Sequence, residues 1–274
     1  MEFSLLMCVY VKESPEFFTE CLNSILTQTV LPDELIIVKD GPLTKELDDV
    51  LENFKFPNEL NIIALPESIT QGPARAKGVE SAKHKWIAVM DSDDICLPDR
   101  FEKQLKMIEE NPKLSLIGGQ IAEFLNDPEQ IIAIKNVPVN HNDIIKYAKF
   151  RNPFNQMAVM FKKESVLNAG NYDYFPCFED YELWARMIAG GVVCANHPDV
   201  LVYARVGSGM YGRRRGRSYI KQEWRMQRKL KKLKLINGVE FLRNCCIRIP
   251  VRLLPEKRLA GIYKNFARKN GENK

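Results

Sequence analysis

Within its first hundred residues the chain reads Trp86-Ile-Ala-Val-Met90 and continues without a break into Asp91-Ser-Asp-Asp94. Five apolar residues in succession predict a buried strand, and the acidic residues that follow predict carboxylates held at the carboxyl end of that strand. A helix opened by Pro98-Asp99 comes next. Carboxylates placed in this way can bind a hard divalent cation together with the phosphates of a ligand. Asp and Ser also fill turns for local hydrogen-bonding reasons, so a simple turn remains the alternative.

Strands and helices alternate regularly upstream of this stretch. The predicted strands are Leu5–Tyr10, Leu35–Val38 and Leu60–Ala64, and the predicted helices are Pro15–Leu26, Thr44–Phe54 and Pro73–Ala82. This alternation predicts an α/β fold with a parallel, doubly wound sheet. Because ligands bind outside the carboxyl ends of such strands, Val9-Tyr10, Asp40 and Asp91 are expected to meet at one rim, where a nucleotide and its metal would bind.

The second half is less regular. Helices are predicted from Pro98 to about Glu110 and at Asn140–Phe150 and Glu179–Ala189, and strands are predicted within Leu114–Lys135 and at Met157–Phe161 and Val200–Tyr203. Beyond Gly216 the pattern indicates basic helices interrupted at Gly238, Pro250 and Pro255. We divide the chain into a domain over 1–215, with halves 1–97 and 98–215, and a tail over 216–274.

Charge divides the chain near this boundary. Residues 1–204 contain 19 Lys and Arg against 31 Asp and Glu, a net charge of −12, whereas residues 205–274 contain 21 against 4, a net charge of +17. Such asymmetry indicates that the basic end faces an anionic partner such as a membrane surface, nucleic acid or phosphates. A solvated helix face is the alternative.

The cysteines and the N-terminus point to a reducing compartment. The seven cysteines are odd in number and never spaced as CxxC, which argues against a disulfide framework or a zinc site. The N-terminal apolar run stops at Lys12 and reads as a strand, not as a signal peptide. No uncharged stretch approaches the ~20 residues that span a bilayer, so we expect a soluble or peripheral protein.

Two further motifs carry charged residues at helix entrances. Gln71-Gly-Pro-Ala-Arg75 enters a helix whose free N–H groups suit an anion, with Arg75 adding a planar cation. Phe178-Glu-Asp-Tyr-Glu182 opens another helix with carboxylates that suit a general base. A surface arginine and a helix cap remain open as alternatives when each motif is taken singly.

Five motifs in order resemble family 2 inverting glycosyltransferases with the GT-A fold, especially those that assemble bacterial capsule, exopolysaccharide and O-antigen units. The motifs are the opening segment Phe3–Gly41, Gly72-Pro-Ala-Arg75, Asp91-Ser-Asp-Asp94, Asn152-Pro-Phe-Asn155 and Glu179-Asp-Tyr-Glu-Leu-Trp184. The resemblance covers about the first 215 residues. It implies a Rossmann-like nucleotide-binding half with a mixed sheet, followed by the basic helical tail.

The resemblance also implies a role for each matching residue. Asp40 and Arg75 would contact the base of the nucleotide, with Val9 and Tyr10 lining its pocket. Asp91 would touch the ribose or the metal, Asp93 would hold Mg²⁺ or Mn²⁺, and Asp180 would be the catalytic base. Asn152, Asn155 and Glu179 would lie on the acceptor side.

Two departures from the family pattern concern the ligand contacts. Lys12-Glu13 replaces an Asn that is common after the first strand, and Gln156 stands where close relatives often have His. These differences bear on donor and acceptor contacts respectively. Neither affects the carboxylates.

The predicted reaction is a single displacement at the anomeric carbon of a nucleotide sugar, with inversion. Asp180 removes the proton of the acceptor hydroxyl, and a cation on Asp93 neutralises the leaving diphosphate. Arg213, Arg214 and Arg215, in a Gly-flanked stretch, are candidates for a lid over the diphosphate, with solvated surface arginines as the alternative.

Two other functions stay open at this point. A sugar nucleotidyltransferase would use a similar fold, but its usual glycine-rich phosphate loop is absent from Tyr10–Pro15. A non-catalytic basic membrane-binding module would explain the tail but not the converging carboxylates. Donor hydrolysis with and without EDTA separates all three.

The tail carries apolar residues at helical spacing among its basic residues. They are Leu242, Cys245, Cys246, Ile249 and Leu253, then Leu259, Ile262, Tyr263 and Phe266. This pattern suits a helix lying in an anionic membrane interface, and packing against the catalytic domain is the alternative. With the resemblance, it predicts a peripheral protein at the cytoplasmic face of the cell membrane. The partners expected are a nucleotide-sugar donor and a glycan or polyprenyl-linked acceptor, and not nucleic acid.

Overall fold

A parallel four-stranded sheet forms the centre of the first half in the computed structural model, which describes residues 1–207, 215–254 and 269–270. Its elements are β1 (Phe3–Val9), α1 (Pro15–Leu26), β2 (Glu34–Lys39), α2 (Lys45–Asn53), β3 (Glu59–Ala64), α3 (Gln71–Ser81) and β4 (Trp86–Asp91). Every strand and helix expected here from the sequence is present. The hydroxyl of Ser14 caps α1 by accepting from the Phe17 N–H, with Pro15 as the first helical residue.

The strand order in this half is β4-β1-β2-β3, with all neighbours parallel. Cys8 lies opposite Asp91, and Val9 lies opposite Lys39. The register therefore brings the ends of β1, β2 and β4 to one edge, as expected of a doubly wound sheet.

The second half adds antiparallel strand pairs to the sheet. Its elements are β5 (Ile95–Cys96), α4 (Arg100–Glu110), β6 (Leu116–Phe124), β7 (Ile131–Lys135), α5 (His141–Ala148), a 3₁₀ turn (Gln156–Ala158), β8 (Met160–Lys162), α6 (Lys163–Asn168), α7 (Glu179–Ala189), β9 (Cys194–Arg205), α8 (Gly216–Lys232), α9 (Gly238–Val251) and β10 (Lys269–Asn270). In the described part of the chain these strands extend one mixed sheet in the order β10-β7-β6-β8-β4-β1-β2-β3, with β9 beside β5 and β6.

Two strand boundaries differ from the sequence prediction. Strand β8 begins at Met160, three residues after the predicted Met157, because Gln156–Ala158 form a 3₁₀ turn. Strand β9 begins at Cys194, six residues before the predicted Val200, because Pro198 and Asp199 interrupt the apolar pattern while pairing with β6 continues on both sides of them. Elements β5 and α6 were not predicted, since two and six residues are too few to show a periodic pattern.

The sheet divides the core into two layers. Phe3, Leu5, Met7 and Val9 of β1 face one layer, with α1, α2 and α4, whereas Leu6 faces the other, with α3 and α7. This alternation is the period of two expected for a strand that is buried on both faces. Both layers fix β4, and so they fix the position of the acidic loop that follows it.

Helices α8 and α9 share a third hydrophobic cluster with α7. It contains Phe175, Phe178, Tyr181 and Ala185 together with Tyr219, Met226, Leu230, Phe241 and Cys245. Beneath it, the fully buried Glu223 accepts from Arg248 and from Arg252, the latter at 3.1 Å. The tail over 216–254 is therefore packed onto the helix that carries Asp180.

This packing corrects the predicted apolar stripe. Cys245 is buried and Ile249 packs against the third cluster, whereas Leu242, Cys246 and Leu253 are exposed. The five residues straddle the boundary between the buried and the exposed faces of α9, so spacing alone could not separate the two sets. The second group of the predicted stripe, Leu259 to Phe266, lies outside the described residues.

Within residues 1–207, 215–254 and 269–270, no helix is both long enough and apolar enough to cross a bilayer.

Candidate active site

The acidic loop begins at the last residue of β4. Asp91 Oδ1 accepts a hydrogen bond of 2.7 Å from Nη2 of Arg75, whose side chain is only 3% exposed. Arg75 is the fifth residue of α3, which packs on the sheet through Leu6, Ile36 and Val38. The predicted anion-binding helix entrance and the predicted metal loop are thus joined by a direct ion pair.

The same guanidinium also faces α7. Its Nη1 lies 3.7 Å from Oε1 of Glu179, the first residue of α7. With its amide oxygen turned toward Arg75, Gln71 accepts from Nη2 at 2.8 Å and donates to Glu179 Oε1 at 3.1 Å. The close approach needs glycine at position 72, because a Cβ there would lie 2.5 Å from the carbonyl oxygen of Asp173. Arg75 therefore bridges the acidic loop and the start of α7.

Asp180, the predicted base, is held by two hydrogen bonds. Its Oδ2 accepts from Nδ2 of Asn152 at 2.6 Å, and its Oδ1 accepts from the Tyr181 N–H at 2.6 Å. Burial raises the pKa of Asp180 above its ordinary value, while the Tyr181 N–H and the cations Lys135 and Arg75 oppose the rise. Burial and the adjacent Asp180 likewise raise the pKa of Glu179. A carboxyl with a raised pKa is the kind of group that serves as a general base near neutral pH.

Asp93 lies among other carboxylates. Burial raises its pKa to about 7, and repulsion from Asp91 and Glu13 adds to the rise. Asp94 is 2% exposed, and its pKa is also raised, first by burial and then by Asp93. Its Oδ1 accepts from the Arg205 N–H at 2.8 Å, whereas its buried Oδ2 has no hydrogen-bond partner in the described part of the chain.

This donor set fits a hard divalent cation. It offers only oxygen atoms, and the crowded carboxylates would be relieved by a positive charge. In the described ranges, no three His, Cys, Asp or Glu side chains are arranged to hold a metal by themselves. Mg²⁺ and similar ions are commonly bound by one or two carboxylates plus substrate phosphates, so the arrangement suits an ion that binds together with a diphosphate.

Two residues of the site were not singled out as site residues from the sequence. Glu13 Oε2 accepts from the Ser92 hydroxyl at 2.6 Å, so the departure at position 13 places an extra carboxylate beside the acidic loop. Arg205, the last residue of β9, donates from Nε to the Asp93 carbonyl at 3.1 Å and pairs with Glu20. No local motif marks Arg205, because the loop lies 112 residues earlier in the chain.

Arg205 is also held between two aromatic rings. Its guanidinium carbon lies 3.9 Å from the ring centroid of Phe17 and 4.6 Å from that of Phe124. These contacts fix the cation against α1 and the end of β6. From this position Arg205 donates to the carbonyl of Asp93 and holds the acidic loop in place.

The predicted base-contact residues lie at the expected edge, with one correction. Asp40 is buried, and its two oxygens accept from the Ser68 hydroxyl at 2.9 Å and the Ile69 N–H at 2.7 Å. Tyr10 is exposed. The Val9 side chain, however, is fully buried in the core because it alternates inward from β1, so only its backbone borders this edge.

Of the two asparagines predicted on the acceptor side, Asn152 lies at the site and Asn155 does not. Asn152 is partly buried and bonds directly to Asp180. Asn155 is fully buried, and its Nδ2 donates to the Gly119 carbonyl at 2.9 Å, so its side chain holds β6 and does not face an acceptor. Gln156 is also buried and donates to the Tyr172 hydroxyl at 2.8 Å.

The predicted lid lies mostly outside the described residues. This applies to Arg213 and Arg214, whereas Arg215 is exposed and immediately precedes α8.

Comparison with known sequences identifies the family. The profile described as "Glycosyl transferase family 2" matches residues 4–169. The chain belongs to glycosyl transferase family 2. This decides among the three functions left open by the sequence, in favour of a glycosyltransferase.

Several family members match over nearly their full length. An uncharacterized glycosyltransferase of Haemophilus influenzae is 42% identical over 98% of this chain and 100% of its own. The amylovoran biosynthesis glycosyltransferase AmsE of Erwinia amylovora is 39% identical over 96% of this chain and 98% of its own. The UDP-Gal:alpha-D-GlcNAc-diphosphoundecaprenol beta-1,3-galactosyltransferase of Escherichia coli is 36% identical over 98% of this chain and 97% of its own.

Solved structures confirm the expected GT-A fold. S. aureus TarS 1–349 in complex with UDP-GlcNAc superposes with a TM-score of 0.67, at 13% identity, over 97% of this chain and 74% of its own. The mannosyltransferase PcManGT of Pyrobaculum calidifontis, in complex with GDP-Man and Mn²⁺, superposes with a TM-score of 0.67. It is 14% identical over 96% of this chain and 74% of its own.

Proposed function

We propose that this family 2 glycosyltransferase transfers a sugar from a nucleotide sugar, a UDP-sugar in particular, to a hydroxyl of a lipid-linked glycan, with inversion at the anomeric carbon. The observation that carries the proposal is the double contact of Arg75. Because Arg75 bonds Asp91 and faces Glu179, a donor on the acidic loop lies beside Asp180, the next residue of α7.

Asp180 is the base in this reaction. Its carboxylate takes the proton from the acceptor hydroxyl as that oxygen attacks the anomeric carbon. The bond from the anomeric carbon to the phosphate oxygen breaks, and the nucleoside diphosphate leaves with the bonding electron pair. The hydrogen bond from Asn152 fixes the carboxylate, so Asp180 is positioned before the acceptor arrives.

The donor occupies the edge where β1, β2 and β4 end. Asp40 and Arg75 would contact the base, Tyr10 would cover it, and Asp91 would approach the ribose. Asp93, with Asp91 beside it, would hold Mg²⁺ or Mn²⁺, which when bound supplies a Lewis acid that neutralises the leaving diphosphate. Arg205 keeps the loop of Asp93 in position by bonding its carbonyl. Arg213 and Arg214 remain candidates for a lid over the diphosphate.

The relatives indicate the class of acceptor. One is named for amylovoran biosynthesis, and another for transfer to a GlcNAc-diphosphoundecaprenol. Both support a role for this chain in surface polysaccharide biosynthesis, with a polyprenyl-linked acceptor at the cytoplasmic side of the cell membrane.

The tail supports attachment to that membrane. An apolar face of α9 and the residues just after it is exposed, comprising Val239, Leu242, Cys246, Ile247 and Leu253. Residues 205–274 carry a net charge of +17, from 21 basic and 4 acidic residues. An apolar face within a strongly basic segment suits an anionic membrane interface, so we propose that this face docks there.

Hydrolysis of UDP-sugars tests the proposal. We expect wild-type protein to release UDP from at least one UDP-sugar when Mn²⁺ or Mg²⁺ is present, with EDTA abolishing the activity. UDP-sugar turnover that is unchanged by EDTA would contradict the metal assignment. No turnover and no binding of any nucleotide sugar would contradict the proposed reaction.

A further inference from the structure

A second cleft, of about 640 Å³, lies between α7 and α8, apart from the acidic loop. Its lining combines basic and aromatic side chains. The residues are Asp173, Phe175, Glu182, Trp224, Arg225, Arg228, Lys229, Lys231, Lys232 and Phe241. A volume in this range is typical of small-ligand sites.

The cleft adjoins the active site through α7 and the segment that precedes it. Glu182 lines the cleft and lies one helical turn after Glu179, so the two side chains share a face of α7. Asp173 also lines it, and the carbonyl of Asp173 packs against Gly72 at the start of α3. Glu182 lies about 3 Å farther along the axis than Asp180 but on another face of α7, so the cleft meets the active site at Glu179.

Charge makes the cleft a site for an anion. Five basic side chains face two carboxylates, a net charge of +3. Arg225, Arg228, Lys229 and Lys232 have the spacing i, i+3, i+4 and i+7, which places them on one face of α8. Among the described residues, Arg228 and Lys232 are exposed and take part in no ion pair.

Other contacts preorganise this face. Lys229 Nζ lies 2.6 Å from Glu182 Oε1, and the nearly buried Glu182 is also held by Arg186 at 2.7 Å. The guanidinium of Arg225 lies 4.3 Å from the ring centroid of Phe175. These contacts anchor α8 on α7 and leave Arg228 and Lys232 for a ligand.

The lining also has an apolar part. The ring of Trp224, which is 43% exposed, packs edge-on against Phe241 at 5.1 Å between centroids. Several cations beside an exposed indole suit a ligand that joins phosphates to a hydrocarbon chain. The donor's diphosphate does not need this cleft, because the acidic loop and its cation would receive it.

We infer that this cleft binds the diphosphate of the lipid-linked acceptor, with Arg228 and Lys232 as its phosphate ligands and Trp224 against the first part of the lipid chain. The inference rests on the proposed function, since it supplies the acceptor half of the same reaction. An acceptor whose diphosphate lies here would reach Asp180 past Glu179, at the start of α7.

Fluorescence of Trp224 provides the binding assay, because Trp86 and Trp184 are fully buried. The probe is farnesyl diphosphate, titrated in EDTA so that the donor site, which needs its cation, does not contribute. We expect farnesyl diphosphate to quench the fluorescence of wild-type protein in a saturable way. Farnesol should not quench wild-type protein, and farnesyl diphosphate should not quench Trp224→Phe. In Arg228→Gln/Lys232→Gln the dissociation constant should rise by roughly 10- to 100-fold, the range for losing charge-assisted hydrogen bonds.

The matched control is Arg217→Gln/Lys221→Gln, which removes two exposed cations from α8 outside the cleft. We expect it to bind farnesyl diphosphate like wild type. Equal weakening in both double variants would overturn the inference, because it would show a general charge effect.

Vesicles containing phosphatidylglycerol distinguish the lipid headgroup as a source of phosphate. Two results together would make the cleft a headgroup site and the inference wrong. Arg228→Gln/Lys232→Gln would lose vesicle binding, and wild-type protein would show no quenching by farnesyl diphosphate. Wild-type protein that hydrolyses UDP-sugars but does not bind the probe refutes only the cleft. Protein that binds the probe but turns over no nucleotide sugar refutes only the proposed reaction.

Discussion

Replacing Arg205 by methionine tests how the acidic loop is held. Methionine keeps the length and packing of the side chain between Phe17 and Phe124 but removes the charge and the donors. The bond from Nε to the Asp93 carbonyl accounts for roughly 1.5–3 kcal/mol, as a hydrogen bond from a charged group. The two cation–π contacts add about 0.5–1 kcal/mol, partly replaced by sulfur–aromatic contacts.

The pair with Glu20 adds little, because the Glu20 side chain is half exposed. The free energy of unfolding should therefore fall by about 2–4 kcal/mol, which lowers Tm by roughly 5–15 °C in a chain of this size. Affinity for UDP with Mn²⁺ should fall as well, since the loop carrying Asp93 loses a fixed contact.

Differential scanning fluorimetry and calorimetric titration of UDP measure both effects. Arg217→Met, at an exposed position of α8, is the matched control and should leave both within error. A Tm for Arg205→Met within a degree of wild type, with UDP affinity unchanged, would refute the role assigned to Arg205.

Three further substitutions address the metal, the base and the membrane. Asp93→Asn should abolish Mn²⁺-dependent binding of UDP. At pH 8 in EDTA, however, the Tm of this variant should equal or exceed that of wild type. Burial and repulsion raise the pKa of Asp93 to about 7, so the wild-type carboxylate is charged at pH 8 and the amide is not. Asn152→Ala removes a hydrogen bond to the Asp180 carboxylate, so the pKa of Asp180 should rise further. The acid limb of the pH–rate profile should therefore move to higher pH, with activity retained at alkaline pH. Leu242→Glu/Ile247→Glu should weaken sedimentation with phosphatidylglycerol vesicles by roughly tenfold or more, because it removes two exposed aliphatic side chains that docking would bury.

Each of these has an outcome that contradicts it. Undiminished UDP binding with Mn²⁺ in Asp93→Asn would show that another group holds the cation. An acid limb that stays in place or moves to lower pH in Asn152→Ala would remove Asp180 as the titrating base. For the membrane, Leu125→Glu/Ile132→Glu changes two exposed apolar residues outside the tail, and equal loss in both double variants would show that the face of α9 is not specific.

The sequence predicted the nucleotide-binding half closely, because β1, β2 and β4 are buried on both faces and α1 and α2 have side-chain caps. Asp91, Arg75 and Asp180 were predicted to belong to one site through their order in the chain, and the structure brings Asp91 and Arg75 into contact. Which residues surround them depends on pairing between distant strands. Arg205 and Glu13 reach the acidic loop across more than 70 residues of chain, and no local pattern reports such a contact.

The tail shows the limit of periodicity. Apolar residues at helical spacing predicted α9, but residues of both its buried and its exposed face are apolar. Packing on α8 selects Phe241 and Cys245 for the core. A truncation after Gly238 would therefore remove part of a shared core as well as the exposed face, which is why point substitutions are the better test of membrane docking.

The most direct test of the central claim is the effect of Asp180→Asn on donor binding and on turnover, measured separately. The account predicts that affinity for UDP with Mn²⁺ is retained while turnover of the bound UDP-sugar falls by a factor on the order of 10² to 10⁴, the range for a positioned general base. Asp143→Asn, which alters a first-turn acid of α5 away from the site, should change neither quantity. If donor affinity collapsed while bound donor reacted at the wild-type rate, Asp180 would be a structural cap of α7 and not the base.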